Sequence, residues 1–181
     1  MSSPDDVLGF WFSPRVRPQW FVRSDAFDRE ICERFHEVYV DAAAGALDDW
    51  AKTPRGALAL VILLDQFPRN MFRGTPAAFG SDAKAREIAR AAVDAGLDDS
   101  LSQEERLFLY LPFEHSEDLA DQERAVALIG ALTENATWRD YAIRHRDIIA
   151  RFGRFPHRNA ILGRPSTAEE AEFLLEPNSS F

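Results

Sequence analysis

The sequence predicts an all-α fold of stacked antiparallel helix pairs, about eight helices with no sheet. Three observations carry this. Apolar residues recur at steps of three and four along most of the chain. Capping residues, often Ser or Thr followed by Pro or by acids, precede these runs. No alternating strand pattern lies between the Gly and Asn turns. A length of 181 residues points to a single all-α domain over residues 1–181, large enough to bury about 70% of the surface that its unfolded chain exposes.

Ser3-Pro4-Asp5-Asp6 reads as a helix start, with a hydroxyl N-cap, a proline at the first position and acids against the positive end of the helix dipole. Val7, Leu8, Trp11 and Phe12 follow at helical spacing, and Pro14 and Pro18 break the chain before Trp20 and Phe21. Ser24 caps a second helix whose apolar stripe is Phe27, Ile31, Phe35, Val38, Tyr39 and Ala42, ending near Gly45. Thr53-Pro54 opens a third, apolar nearly all round from Ala57 to Leu64 and therefore expected at the centre of the fold. Pro68 disfavours the helical region for Phe67, so this helix should end or bend within Asp65-Gln-Phe-Pro-Arg-Asn70. Ser81 or Asp82 starts a helix with Ala85, Ile88, Ala89, Ala92 and Val93 inward, stopped by Gly96. Ser102 and Glu105 form a capping box before Leu107, Phe108 and Leu111, and Pro112 interrupts that helix. The segment Glu114 to Asp118 leads into a helix carrying Leu119, Ala125, Val126, Leu128 and Ile129. Thr137 is the expected cap of the next, in which Trp138, Tyr141, Ala142, His145, Ile148, Ile149 and Phe152 form one stripe ended by Gly153. Thr167 and Glu170 cap a last short helix bearing Phe173 and Leu174.

Composition narrows the functions. A net charge of -9 opposes non-specific attraction to the phosphates of nucleic acids or membranes, so neither is an expected partner. The single cysteine, Cys32, excludes an intrachain disulfide, and the first twelve residues have no basic leader region, which together favour a cytoplasmic protein. The longest aliphatic run, Ala57 to Leu64, is too short to span a bilayer.

Against this acidic background, Arg144, Arg146, Arg151, Arg154, Arg158 and Arg164 face one acid, Asp147, a local excess of five positive charges. Glu114, Glu117, Asp118, Asp121 and Glu123 form the counterpart, with no Lys or Arg between residues 107 and 123. Either these segments pair, because buried arginine and carboxylate seldom stay alone, or the pairing is incomplete and one or two guanidiniums line a pocket for an anion. Phe67-Pro-Arg-Asn70 also recurs as Phe155-Pro-His-Arg-Asn159, which predicts two similar elbows, or else ordinary capping chemistry used twice.

Asp65-Gln-Phe-Pro-Arg-Asn-Met-Phe-Arg-Gly74, Leu111-Pro-Phe-Glu-His-Ser-Glu-Asp118 and Arg151-Phe-Gly-Arg-Phe-Pro-His-Arg-Asn159 resemble the signature blocks of the bacterial family numbered 924 among domains of unknown function. The resemblance runs from Val7 to the terminal Ser-Ser-Phe181 and implies an all-α fold similar to tetratricopeptide repeats. It implies no activity.

No metal site is expected, since Cys32 and His36 have no second pair of ligands nearby, and no cofactor signature such as a Gly-rich phosphate loop or dinucleotide fingerprint is present. Cys32 lies mid-helix beside an apolar stripe, where thiols are usually inert. His145, on the apolar stripe, reads as a neutral core histidine. The preferred functional reading is a binding module with a polar cleft for a small anionic ligand or an acidic peptide. In it Arg69 and Arg158 grip the anion, Asn70 and Asn159 orient it, His115 and His157 make the grip pH-dependent, and Asp65, Glu114 and Arg154 complete the lining. The alternatives are a hydrolase-type enzyme with Glu114 or His115 as acid-base group, and a scaffold whose charges are all internally paired.

Overall fold

The structure, a computed structural model, describes residues 2–132 and 136–180, and among them the chain is helical with no strand. The backbone divides into two compact units, Met1–Arg73 with Ala77–Pro112, and Gly74–Pro76 with Phe113–Phe181.

In the first unit Ser3 and Asp6 close a capping box on α1, Pro4–Trp11. Ser24 accepts from the Phe27 amide at the start of α2, Asp25–Ala44, which ends at Gly45 with φ +88°. Thr53 accepts from the Gly56 amide and opens α3, Pro54–Val61. As the unbroken apolar run requires, Ala57 to Leu64 are all buried. The helix does not end at Pro68. It widens into a π-helical turn, Ile62–Gln66, and continues as α4, Phe67–Met71, with Phe67 itself helical at φ -61° and ψ -38°. The cause is steric and electronic: a proline ring crowds the carbonyl four residues earlier and offers it no N–H, and a π turn relieves both. Here that carbonyl belongs to Leu64, and the buried Ser81 hydroxyl donates to it at 2.6 Å. Ser81 therefore spends its side chain on α3 and makes no capping bond to its own helix, α5, Asp82–Asp94.

Helices α1 and α5 pack on α3, and α2 packs on α4. Phe10, Trp11, Phe27, Phe35, Phe67 and Phe108 fill the space between elements, with Trp11 edge-on to Phe67 and Phe108 at 5.5 Å each. Trp20 joins them through its indole N–H, which donates to Trp11 O at 2.9 Å, whereas Phe21 remains 73% exposed. Ser102 and Glu105 exchange capping bonds at the start of α6, Gln103–Glu114. Pro112 lies inside α6 and does not interrupt it, and the boundary between the units falls between Pro112 and Phe113.

In the second unit α7, Leu119–Leu132, packs along α8, Ala136–Phe152. Thr137 lies within α8 and is not its N-cap; the three residues before α8 are outside the described residues. Ile148, Ile149 and Phe155 form the apolar core, with Phe152 and Phe173 against it. A 3₁₀ turn, Pro156–Arg158, and α9, Ala168–Phe173, complete the unit, the latter with the Thr167 and Glu170 capping box that the sequence predicts. No helix among the described residues is long and apolar enough to cross a membrane.

Replacing Ser81 with Ala removes the hydroxyl that donates to Leu64 O, whose ordinary helical donor is lost at Pro68. The expected loss is about 1–3 kcal/mol, the cost of a buried carbonyl left unsatisfied. Urea unfolding should show a lower midpoint at unchanged slope.

Candidate functional site

Gly153, at φ +69°, turns the chain off α8 where a side chain would be strained. The chain then extends through Phe155 (φ -86°, ψ 108°) into the 3₁₀ turn. The buried Phe155 ring meets the His145 ring edge-on at 5.7 Å, the His157 ring at 5.5 Å and the Arg158 guanidinium at 4.5 Å. The His115 ring centroid is 6.4 Å from that of His145. Glu114, His145 and Arg158 are buried, and His115 and His157 are half-buried. Three imidazoles, one guanidinium and one carboxylate thus share one neighbourhood in the second unit.

His145 Nδ1 is 2.8 Å from Tyr141 O, and Glu114 Oε1 is 3.2 Å from the same nitrogen. A backbone carbonyl can only accept, so the ring proton sits on Nδ1 and Nε2 is left as an acceptor. Burial pushes the His145 pKa down to about 3, with His115, His157 and Arg158 acting in the same direction against the bond to Tyr141 O. The ring is neutral at pH 7, as the sequence predicts for a core histidine, yet it also contributes to the polar cluster.

Much of the arginine excess is spent on the chain's own carboxylates. Arg164 forks onto Glu117 at 2.7 and 2.9 Å, and its remaining nitrogen donates to Asn159 Oδ1 at 3.0 Å. Burial opposes the Glu117 charge, but the bonds from Arg164 and from the Phe155 amide hold its carboxyl below the usual range. Arg154 forks onto Glu170 at 2.6 and 2.8 Å, and with the Thr167 amide it holds the Glu170 carboxyl down to about 2. Arg151 pairs with Glu169 at 2.9 Å. Asn159 is buried and donates to Ser166 at 3.1 Å.

Of the residues singled out in the sequence, Glu114, His115, Arg154, His157, Arg158 and Asn159 lie in the second unit, and Asp65, Arg69 and Asn70 in the first. Arg69 forks onto Asp82 at 3.0 and 3.1 Å and donates to Asp65 O at 2.5 Å. Asn70 donates to Asp28 at 2.8 Å beside Arg73. Asp65 is fully buried and accepts from Gln66 at 2.5 Å. The two Phe-Pro segments also differ in form, since Phe67 is helical where Phe155 is extended. They are not two copies of one elbow. No group of three or more His, Cys, Asp or Glu among the described residues is arranged to hold a metal.

The sequence reading passed over Gln122, Glu117 and Arg164 as organisers of this neighbourhood. Gln122 had a visible signal: it falls on the buried stripe of α7 with Ala125, Ile129 and Leu132, where a polar side chain needs partners. Arg164 and Glu117 are 47 positions apart, and nothing local connects them.

His145 links stability to pH. An unfolded histidine titrates near 6.5 and the folded one near 3, so between these values the unfolded chain binds more protons and stability falls as pH falls. Acidification from pH 7 to 5 should cost on the order of 2 kcal/mol through this residue. Urea titrations across that range should show the slope flattened in His145→Gln; an identical slope would remove His145 as its source.

Comparison with known proteins carries the fold further than the chemistry. No curated protein matches the chain. The solved structure of the protein of unknown function ATU0120 from Agrobacterium tumefaciens is similar, with a TM-score of 0.91 and 43% sequence identity over 96% of this chain and 97% of that one. The model of the family described as bacterial protein of unknown function (DUF924) matches residues 7–178. The all-helical chain, with its two Phe-Pro segments and its Glu-His-Ser-Glu-Asp loop, belongs to that bacterial family.

Proposed function

We propose that the second unit is a binding module for a small anion, a phosphate or carboxylate presented by a small molecule or an acidic peptide. Arg158 supplies the permanent charge, His115 and His157 supply a charge that depends on pH, and Glu114 with His145 forms the buried pair behind them. The observation that carries this reading is the convergence of the His145 and His157 imidazoles and the Arg158 guanidinium about the Phe155 ring, with the His115 ring beside that of His145. Arg69, Asn70, Arg154 and Asn159, bonded to Asp82, Asp28, Glu170 and Ser166, serve as framework in this reading. Asp65, buried against Gln66 and Arg69, belongs to that framework too.

An acid-base enzyme is the weaker alternative. A base works best with a pKa near the working pH, so His145 at about 3 is unsuited to that role, and such an enzyme would use Glu114 or His115.

Titration calorimetry with orthophosphate and with succinate, at pH 6 and pH 8, tests the binding reading. Binding should be tighter at pH 6, where imidazoles carry more charge. Arg158→Ala should weaken it by about tenfold or more, as for a lost hydrogen bond to a charged group, and Arg158→Lys should recover only part. Arg69→Ala, checked for its helical circular dichroism, should leave affinity unchanged. No saturable heat at either pH, or equal losses in Arg69→Ala and Arg158→Ala, would overturn the proposal.

A further inference from the structure

We propose that Gln122 is the positioning residue for His115, an inference that rests on the anion-binding reading of this site. Gln122 is fully buried on the inner face of α7. Its Nε2 donates to Glu114 O at 2.5 Å and to Ser116 O at 2.6 Å. Those two carbonyls flank His115 in the chain. Glu114 is the last residue of α6, and the final carbonyls of a helix lack amide donors from the helix itself. One amide nitrogen therefore serves both carbonyls and restrains the peptide unit that precedes His115 and the one that follows Ser116.

The orientation of this amide is unambiguous. Turned over, it would press Oε1 against two carbonyl oxygens and lose both bonds. In the orientation observed, Oε1 is buried and has no hydrogen-bond partner, which carries a desolvation cost. On a stripe shared with Ala125, Ile129 and Leu132, an apolar side chain would avoid that cost. What the glutamine supplies in exchange is its pair of donors to the residues around His115.

The rest of the loop is braced in the same way, so that Gln122 acts on a defined turn and not on a loose one. Ser116 N donates to Phe113 O at 3.2 Å, Ser116 Oγ to Asp121 Oδ2 at 2.9 Å, and Asp118 N to Ser116 Oγ at 3.1 Å. Glu117, one position further on, receives Arg164 and the Phe155 amide. The bracing ties the loop between α6 and α7 to the segment that carries His157 and Arg158. Gln122 is the member that brackets His115 itself.

A double-mutant cycle on orthophosphate affinity reads this directly. Gln122→Met, which keeps the shape and removes the donors, should weaken binding about tenfold in the wild-type background and less than about twofold in a His115→Ala background. Equal losses in both backgrounds would mean that Gln122 acts on the fold at large and would overturn the assignment. If wild-type protein binds no phosphate, the anion reading fails by itself and the positioning is read from the His115 ring resonances instead. These should broaden or split in Gln122→Met while those of His36, in the first unit, stay in place; an unchanged His115 signal would overturn the inference. Should Gln122→Met not fold, the wild-type side-chain amide protons of Gln122 must exchange far more slowly than those of Gln19 and Gln103, and exchange at the solvent rate would overturn it.

Discussion

A guanidinium drawn out of water needs a carboxylate of matching geometry, and the second unit is arranged around meeting that demand. Arg164 meets Glu117 and Arg154 meets Glu170, each through two nitrogens. Glu117 also takes the Phe155 amide, so the same carboxylate that neutralises Arg164 anchors the extended residue from which the 3₁₀ turn begins. Glu170 closes the N-terminus of α9 as well as receiving Arg154. Charge pairing and backbone capping are thus performed by the same oxygen atoms. Removing either carboxylate would release a helix end or an extended stretch of chain together with a half-buried cation.

The helices were legible because their signals are local. Ser3, Ser24, Thr53 and Thr167 accept the backbone bonds that their positions suggest, and Gly45 and Gly153 take left-handed backbone at helix ends. The two errors over prolines, at Pro68 and Pro112, have one physical origin. A proline inside a helix costs about 3 kcal/mol or more, and burial of the surrounding apolar residues offsets it. At Pro68 the compensation came from Ser81, a residue that the sequence offered as a cap for its own helix.

The candidate site was legible as a composition and not as a geometry. Pairing between the acidic and basic segments is realised in Glu117 and Arg164, but Arg151 and Arg154 turn to Glu169 and Glu170, which locally read only as helix-starting acids. Asn70 and Arg73 go to Asp28, more than forty residues away. Partner choice among many arginines and acids depends on tertiary placement, which no spacing rule encodes. His145 was read correctly as buried, while its place between Glu114 and the Phe155 ring required the fold. Within the second unit, Glu114, His115, His145, His157 and Arg158 lie in one neighbourhood.

That cluster joins the Arg158 guanidinium to three imidazoles beside a braced loop and the Phe155 ring. Heteronuclear NMR of the wild-type protein during an orthophosphate titration tests it most directly. If the cluster is an anion site, the His115 and His157 ring signals and the Arg158 Nε signal shift together with one saturable constant, and the Arg69 Nε signal stays in place. Shifts confined to exposed arginines such as Arg15 and Arg55, or no saturable shift at all, would contradict it.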